Sequence, residues 1–393
     1  MSGRVAFVHS PHFLECGLPR QHPMHPRRLQ VALDLFAGLG LLDQVEQVAP
    51  REASLEELHL IHGQGYVDAV RRSSEAGRPV DGAELLGLGS EDNPVYPGLH
   101  EFASRVVGGA VEAAQRIMSG EWAHAFLPSG GLHHAHRSRA SGFCIYNDAA
   151  VAIAALRQRL PVRVAYVDID AHHGDGVQFC FYDDPGILTL SLHETGRFLF
   201  PGTGAVLERG LGDGYGYAVN VPLEPFTSDD SFLEAFSLVV PPLLRAFRPD
   251  LLVTQHGVDG HQLDVMSDLS YTTRAFAQAT SLLHDLAHEL CEGRWLALGG
   301  GGYEAWSAVP RAWAVQWAII AHRPLPPETP TPVAWRERWQ GEAPVRLPEV
   351  IQDRREDALW IPRAAAIAEK NRQTAEAAVA GSFVGNRPSY PAW

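Results

Sequence analysis

The order of elements predicts an α/β doubly wound fold. Three observations carry this. Strand-like, loop-like and helix-like segments follow one another repeatedly along the 393 residues, with no internal repeat. Val162-Arg-Val-Ala-Tyr-Val167 is mostly apolar, β-branched and too short for a helix, the pattern of a buried strand in a parallel sheet. Polar clusters then follow several of the strands, at the carboxyl ends where ligands sit in open α/β sheets.

In chain order, Val5-Ala-Phe-Val8 reads as the first strand. The proline-punctuated loop Gln21-His-Pro-Met-His-Pro-Arg-Arg28 precedes a helix that starts near Pro26, with Leu29, Ala32, Leu33 and Phe36 on one face. From spacing alone, Arg28 reads as a solvated first-turn residue. One helix is expected over 55–72, a Gly- and Pro-rich loop over 87–97 and a helix over 98–118. Ala123-His-Ala-Phe-Leu127 is the next strand, followed by Pro-Ser-Gly-Gly-Leu-His-His-Ala over 128–135. A helix through Leu156 is capped by Asn147 or Asp148. After the central strand come a strand over 187–193, a loop with Phe198-Leu-Phe-Pro-Gly-Thr-Gly204 and an amphipathic helix opened by Asp229 and Asp230. The strand Asp250-Leu-Leu-Val-Thr-Gln255 runs into His256-Gly-Val-Asp-Gly260. A helix over 273–292 leads to the strand Trp295-Leu-Ala-Leu298, which breaks into Gly299-Gly-Gly-Gly-Tyr303. From Pro324 the composition turns Pro-rich and then Glu- and Arg-rich. We therefore expect a principal domain over 1–323 and, over 324–393, an extended arm with one helix near 362–378 packed on it. The last eight residues read as irregular.

Formal net charge is −14 without long runs of Lys or Arg, which argues against a general nucleic-acid surface. That charge permits attraction to basic substrates. The four cysteines, Cys16, Cys144, Cys180 and Cys291, lack CxxC spacing, so neither a cysteine zinc site nor a disulfide framework is expected, and a reducing cytoplasm fits. The first strand begins too early to leave room for a signal peptide, and no apolar run reaches membrane-spanning length.

The chemistry centres on Asp168-Ile-Asp-Ala-His-His-Gly-Asp-Gly176. On an extended chain Asp168, Asp170 and His172 share parity and so can share one side. Such groups at the end of a buried strand are costly unless bound to something, and Asp oxygens with His nitrogens suit a divalent ion such as zinc. Three other strands end comparably, in His133-His134, in Asp259 and in Tyr303. Any one could be structural. All four together are hard to assign to packing.

These residues resemble the zinc-dependent histone deacetylase family. Gly130-Gly-Leu-His-His-Ala135, Gly142-Phe-Cys-x-x-Asn-Asp148, Asp168-Ile-Asp-x-His-His-Gly-Asp-Gly176, Phe200-Pro-Gly-Thr-Gly204, Gly257-x-Asp259 and Gly299-Gly-Gly-Gly-Tyr303 stand in the family's order. His22-Pro-Met-x-Pro26 and the Glu91-Asp92 loop match too, so the resemblance covers about residues 5 to 320, with its nearest look to the bacterial acetoin-utilisation branch. It implies the arginase–deacetylase fold, with a central, mostly parallel sheet between helices and the active site at strand carboxyl ends. It also implies hydrolysis of the acetyl amide of acetyl-lysine. Carried over position by position, Asp170, His172 and Asp259 would hold zinc, or iron(II). His133 and His134 would move protons, oriented by Asp168 and Asp175 respectively, and Tyr303 would donate to the oxyanion. Gly142, Phe143, Phe200 and Met266 would line a narrow tunnel. Asp92 would meet substrate backbone at the rim, and Arg28 would lie beneath the metal near an acetate exit. Potassium sites are implied at Asp168, Asp170, His172, Ser191 and Leu192, and at Phe181, Asp184 and Ile187. The implied partner is an acetylated protein such as an acetyl-CoA synthetase. His136 stands where other members carry a basic residue, a departure expected not to touch the chemistry.

Three other readings compete. Asp170-Ala-His172 resembles the metal motif of binuclear ureohydrolases, but those need further bridging carboxylates, and Gly257 stands where they carry an Asp. An amidohydrolase of acetylpolyamines or other small acetyl-amines would share every motif above. A non-catalytic acetyl-lysine binder could have lost Tyr303, a histidine of the pair or a ligand, and none is lost.

Overall fold

The computed structural model describes residues 3–385. Eight strands are found: β1 Val5–Val8, β2 Glu46–Val48, β3 His124–Leu127, β4 Val164–Asp168, β5 Ile187–Glu194, β6 Ala218–Leu223, β7 Leu251–Gln255 and β8 Trp295–Leu298. They form one sheet in the order β2-β1-β3-β8-β7-β4-β5-β6, and every pairing is parallel. The helices flanking it are α1 Arg27–Gly38, α2 Leu55–His59, α3 Gln64–Ala76, α4 Leu99–Met118, α5 Asp148–Arg157, α6 Asp175–Cys180, α7 Asp229–Phe247, α8 Thr273–Cys291, α9 Ala308–Ile320, α10 Val333–Trp339 and α11 Ala364–Ala380. The arginase–deacetylase fold expected from the resemblance is the one observed. No described helix is long and apolar enough to cross a membrane.

Parallel strands need crossovers, and the crossovers cover both faces, so the central strands are buried; β3, β4, β5, β7 and β8 are buried at every position. β8 and β7 enter last and fill the centre between β3 and β4. The four strands with polar carboxyl ends, β3, β8, β7 and β4, are therefore consecutive neighbours. Their registers align Asp168 with Gln255, and Gln255 with Leu298, across one row.

Several elements differ from expectation. The helix expected over 55–72 is two, because the chain turns at 60–63 before Gly63 opens α3; α2 is capped at its amino end by a reciprocal Ser54–Glu57 capping box. The edge strands β2 and β6 and the helices α6, α9 and α10 went unread. β2 has three residues and β6 contains Pro222, so neither shows a usable period. α9 is buried over its whole length, which erases the amphipathic stripe. Asn147 is the cap of α5, its side chain accepting from the Ala150 N–H at 2.9 Å. The irregular end expected at 386–393 lies outside the described residues.

Residues beyond Pro324 are tied to earlier elements by buried polar contacts. The Trp335 indole donates to the Val31 carbonyl at 2.9 Å, and the Trp339 indole to Asp34 at 3.1 Å, holding α10 against α1. Asn371 on α11 accepts from the Glu224 N–H and donates to Thr227 and Ser231. Asp353 meets Arg311 at 2.7 Å and His261 at 2.9 Å, and accepts from the Thr273 N–H. Burial would push the Asp353 carboxyl up, but the His261 hydrogen bond and the Arg311 charge hold it well below the usual range. Its contribution is therefore complete above the ordinary carboxyl pKa of about 3.9 and fades as pH falls below it. Asp353→Ala leaves Arg311 buried without its carboxylate and should cost about 3–5 kcal/mol at pH 7. Urea unfolding of the two proteins checks this; a loss below about 1 kcal/mol would show the ion pair to be dispensable.

Candidate active site

β4 delivers the first cluster. Past Asp168 the chain leaves the sheet, and Asp170 and His172 meet Asp259 from the loop after β7. One ligand-type atom from each lies within 4.8 Å of the others, and all three residues are buried. His172 Nδ1 is 2.8 Å from Asp259 Oδ2 and 3.2 Å from Asp170 Oδ1. The other carboxylate oxygens are held by donors: Asp170 Oδ2 accepts from the Gly301 N–H at 2.7 Å, and Asp259 Oδ1 from the Ala171 N–H at 2.8 Å. Opposing the effect of burial, the charges of Asp259 and Asp170 push His172 up to about 10; burial and the Asp170 charge push Asp259 up to about 7. Two buried carboxylates and an imidazole thus compete for protons that a divalent cation would replace, so the donor set fits zinc or iron(II). The backbone leaves room for such a cradle: a Cβ at Gly257 would collide with the Asp170 carboxylate, and one at Gly301 with that of Asp259.

The loop after β3 supplies the histidine pair, their rings 4.0 Å apart. His133 Nδ1 lies 2.8 Å from Asp168 Oδ2, which also accepts from the Tyr166 hydroxyl at 2.7 Å. His134 Nδ1 lies 2.7 Å from Asp175 Oδ1, and His136 Nε2 sits 3.2 Å from the other Asp175 oxygen. His136 was expected to stand clear of the chemistry; it instead touches the carboxylate behind His134. The two histidines are shifted in opposite directions. Burial would lower His133, but Asp168 and Asp170 raise it to about 9; burial and the His133 charge lower His134 to about 3.

Tyr303 comes from the glycine run after β8. Its N–H donates at 2.6 Å to Asp264, which also takes the N–H groups of Glu304 and Met266. Burial and the charges of Asp259 and Asp170 push the phenol well up, so it remains a donor. Arg28 is buried, against the solvated position its spacing alone suggested. Its guanidinium donates to the carbonyls of Gly300 at 2.8 Å and Gly302 at 3.0 Å, and its carbon lies 6.0 Å from the Tyr303 ring. Arg28 also lines a cavity of about 60 Å³ with Met24, Leu29, Ser129 and Trp313.

Aromatic walls flank this floor. Phe143 stands 5.8 Å from the Tyr303 ring and 5.0 Å from His22, while Phe200 stands 5.0 Å from His134 and 6.4 Å from His172. Gly142 and Phe143 both have positive φ, 51° and 68°. That is uncommon for a Phe; a Cβ on Gly142 would meet both His134 and Phe200. Asp92 is exposed, with its carbonyl 3.1 Å from His22 Nε2. Met266 is half-buried on the loop that Asp264 anchors.

The residues expected at cation sites are also brought together. Asp168 pairs with Ser191 across β4 and β5, next to Leu192. Phe181 and Asp184 lie in the segment before β5, which Ile187 opens, and the Asp184 carboxylate already receives Arg157 at 2.9 and 3.1 Å. Two supporting residues escaped the sequence reading. Gln255 ends β7 and donates to the Gly131 carbonyl and to Asp170, at 2.9 and 3.2 Å, and Asp264 holds the Tyr303 backbone. Their only local signal is a polar residue beside a strand end or a glycine.

Residues 22–320 match the family model described as histone deacetylase domain. The chain is 46% identical over 373 residues to the acetoin utilization protein AcuC of Bacillus subtilis strain 168, covering 95% of this chain and 96% of that one. It is 40% identical over 377 residues to AcuC of Staphylococcus xylosus, covering 96% and 97%. Among solved structures, an HDAC homologue complexed with SAHA superposes with a TM-score of 0.83 at 30% identity, over 95% of this chain and all of that one. An HDAC homologue from Aquifex aeolicus gives 0.81 at 29% identity, over 94% and 100%. With a family model over most of its length and relatives matched nearly end to end, this chain belongs to the histone deacetylase family and is an AcuC-like deacetylase.

Proposed function

We propose that the chain hydrolyses the acetyl amide of acetyl-lysine in proteins or peptides and releases acetate. The observation that supports this most is the convergence of a two-carboxylate, one-imidazole cluster, two carboxylate-held histidines and a tyrosine between two aromatic walls.

In this reading Asp170, His172 and Asp259 hold one divalent ion, zinc or iron(II). Such an ion, when bound, supplies Lewis acidity that makes water a nucleophile at neutral pH and polarises the acyl oxygen. His134, neutral at pH 7 and fixed through Nδ1 by Asp175, takes the proton of the attacking water at Nε2 and passes it to the leaving amine. His133, fixed through Nδ1 by Asp168, stabilises negative charge as it develops. Tyr303 donates its hydroxyl proton as a hydrogen bond to the oxyanion of the tetrahedral intermediate. Arg28 fixes the Gly300 and Gly302 carbonyls and so the place of Tyr303, and offers acetate a cationic route through the cavity it lines. Phe143 and Phe200 would pack the methylenes of the lysine, and Asp92 would accept from substrate backbone. Monovalent cations at the two sites named above complete this reading; at the second only backbone oxygens are available, because Arg157 holds Asp184.

Tyr303→Phe keeps the ring and removes one donor. Turnover on an acetyl-lysine peptide should fall about 100- to 1000-fold with fold and bound metal unchanged. Near-normal kcat would show that Tyr303 does not serve the oxyanion.

Substrate class turns on Met266. An apolar, adaptable side chain offers no partner to the secondary ammonium groups of an acetylpolyamine, which would lose hydration on passing it. The expected outcome is a higher kcat/KM for a good acetyl-lysine peptide than for acetylspermidine or acetylputrescine, and a smaller gap in Met266→Glu. A preference of the unaltered protein for the acetylpolyamines, at equal pH and metal loading, would overturn the substrate assignment and leave the hydrolytic chemistry standing.

A further inference from the structure

At the opposite end of the sheet from the active site stands a second convergence of ligand-type side chains. His124 opens β3 at its amino end, beside Trp295 at the start of β8. His284 and His288 lie four residues apart on α8, which places them on one helical face. His322 follows α9 and adopts a left-handed backbone, φ 58°. One ring nitrogen from each of the four lies within 4.8 Å of the others.

Their arrangement is tetrahedral. All six ring-to-ring centroid separations fall between 4.5 and 5.4 Å. Four points with nearly equal mutual distances are the corners of a tetrahedron. With Zn–N bonds of about 2.0–2.1 Å and about 1.1 Å from ring nitrogen to centroid, four imidazoles on a tetrahedral ion have centroids about 5.2 Å apart. His284 Nε2 and His322 Nδ1 are 3.0 Å apart, close to the roughly 3.3 Å between two nitrogens on one such ion.

The hydrogen bonding points the same way. His124 is fully buried and its Nδ1 donates to the Ile320 carbonyl at 2.7 Å, which fixes the tautomer and leaves Nε2 with a lone pair. That Nε2 is buried without a partner. A buried polar atom left unsatisfied is costly and needs a reason. An imidazole whose far N–H is held by a carbonyl is the usual form of a metal-bound histidine. His288 is exposed, giving an ion a way in from solvent.

We propose that His124, His284, His288 and His322 form a second transition-metal site, all-imidazole and tetrahedral, which staples α8 and the turn after α9 to the amino end of β3. Four neutral nitrogen ligands select zinc or its neighbours copper and nickel over magnesium or calcium, which prefer oxygen. The site completes the coordination of one ion with protein atoms alone, as structural zinc sites do.

The test counts zinc. Proteins are loaded with excess zinc, desalted and analysed for metal per chain, with folding checked by circular dichroism. Asp259→Ala removes a ligand at the active site and should still retain one zinc per chain. Adding His284→Ala and His288→Ala should abolish that retention. The double histidine variant on the unaltered background should keep one zinc and its turnover of acetyl-lysine peptide. Should the double variant fold poorly, His288→Ala alone, at an exposed position, should weaken zinc binding to Asp259→Ala protein beyond the about 10- to 100-fold expected from losing an outer hydrogen-bond partner. The proposal is overturned if Asp259→Ala protein retains no zinc, or if it retains as much, and as tightly, without His284 and His288.

Discussion

Negative charge buried at the ends of the central strands is the constraint on which the rest of the structure depends. Asp168, Asp170, Asp175 and Asp259 are each nearly inaccessible to water. An isolated buried carboxylate is prohibitively costly, so each must be answered by a donor or a cation. Asp168 is met by Tyr166 and His133, Asp175 by His134 and His136, and Asp170 and Asp259 by His172 and backbone N–H groups. The histidines therefore complete the fold and the proposed chemistry at once. The two histidines are pushed in opposite directions by what surrounds them: Asp168, Asp170 and Asp175 raise His133, while burial, His133 and His172 lower His134 against Asp175.

The glycines follow from the same constraint. Carboxylates packed at the strand ends leave no room for a Cβ at Gly257 or Gly301, so the run after β8 crosses them as bare backbone. Bare backbone is loose, and Arg28 and Asp264 fix it from two sides, one through carbonyls and the other through N–H groups. Tyr303 is thus placed by residues on α1 and on the loop after β7, remote from it in sequence.

That division also explains what could be read from the chain alone. Asp168, Asp170, His172, His133, His134, Asp259 and Tyr303 lie in dense local motifs, so the sequence marks them, and the topology then makes β3, β8, β7 and β4 neighbours. Gln255 and Asp264 act across the sheet or between loops, with no local pattern to betray them, and His136 stands out only as a departure beside the His133-His134 motif. Arg28 looks like a solvated first-turn residue until the glycine loop folds over it. β6 and the fully buried α9 carry no period, and the four histidines at the far end span residues 124 to 322, with only the spacing of His284 and His288 visible locally.

The reading of the active site as a single-ion hydrolytic centre is tested most directly by metal reconstitution with the remote histidines removed. His284→Ala/His288→Ala protein, stripped of metal and titrated with zinc, would be assayed for acetate released from an acetyl-lysine peptide. Acetate release should be absent without metal and rise linearly to a plateau at one zinc per chain. Full activity in the stripped protein, or a plateau only at two ions per chain, would contradict it.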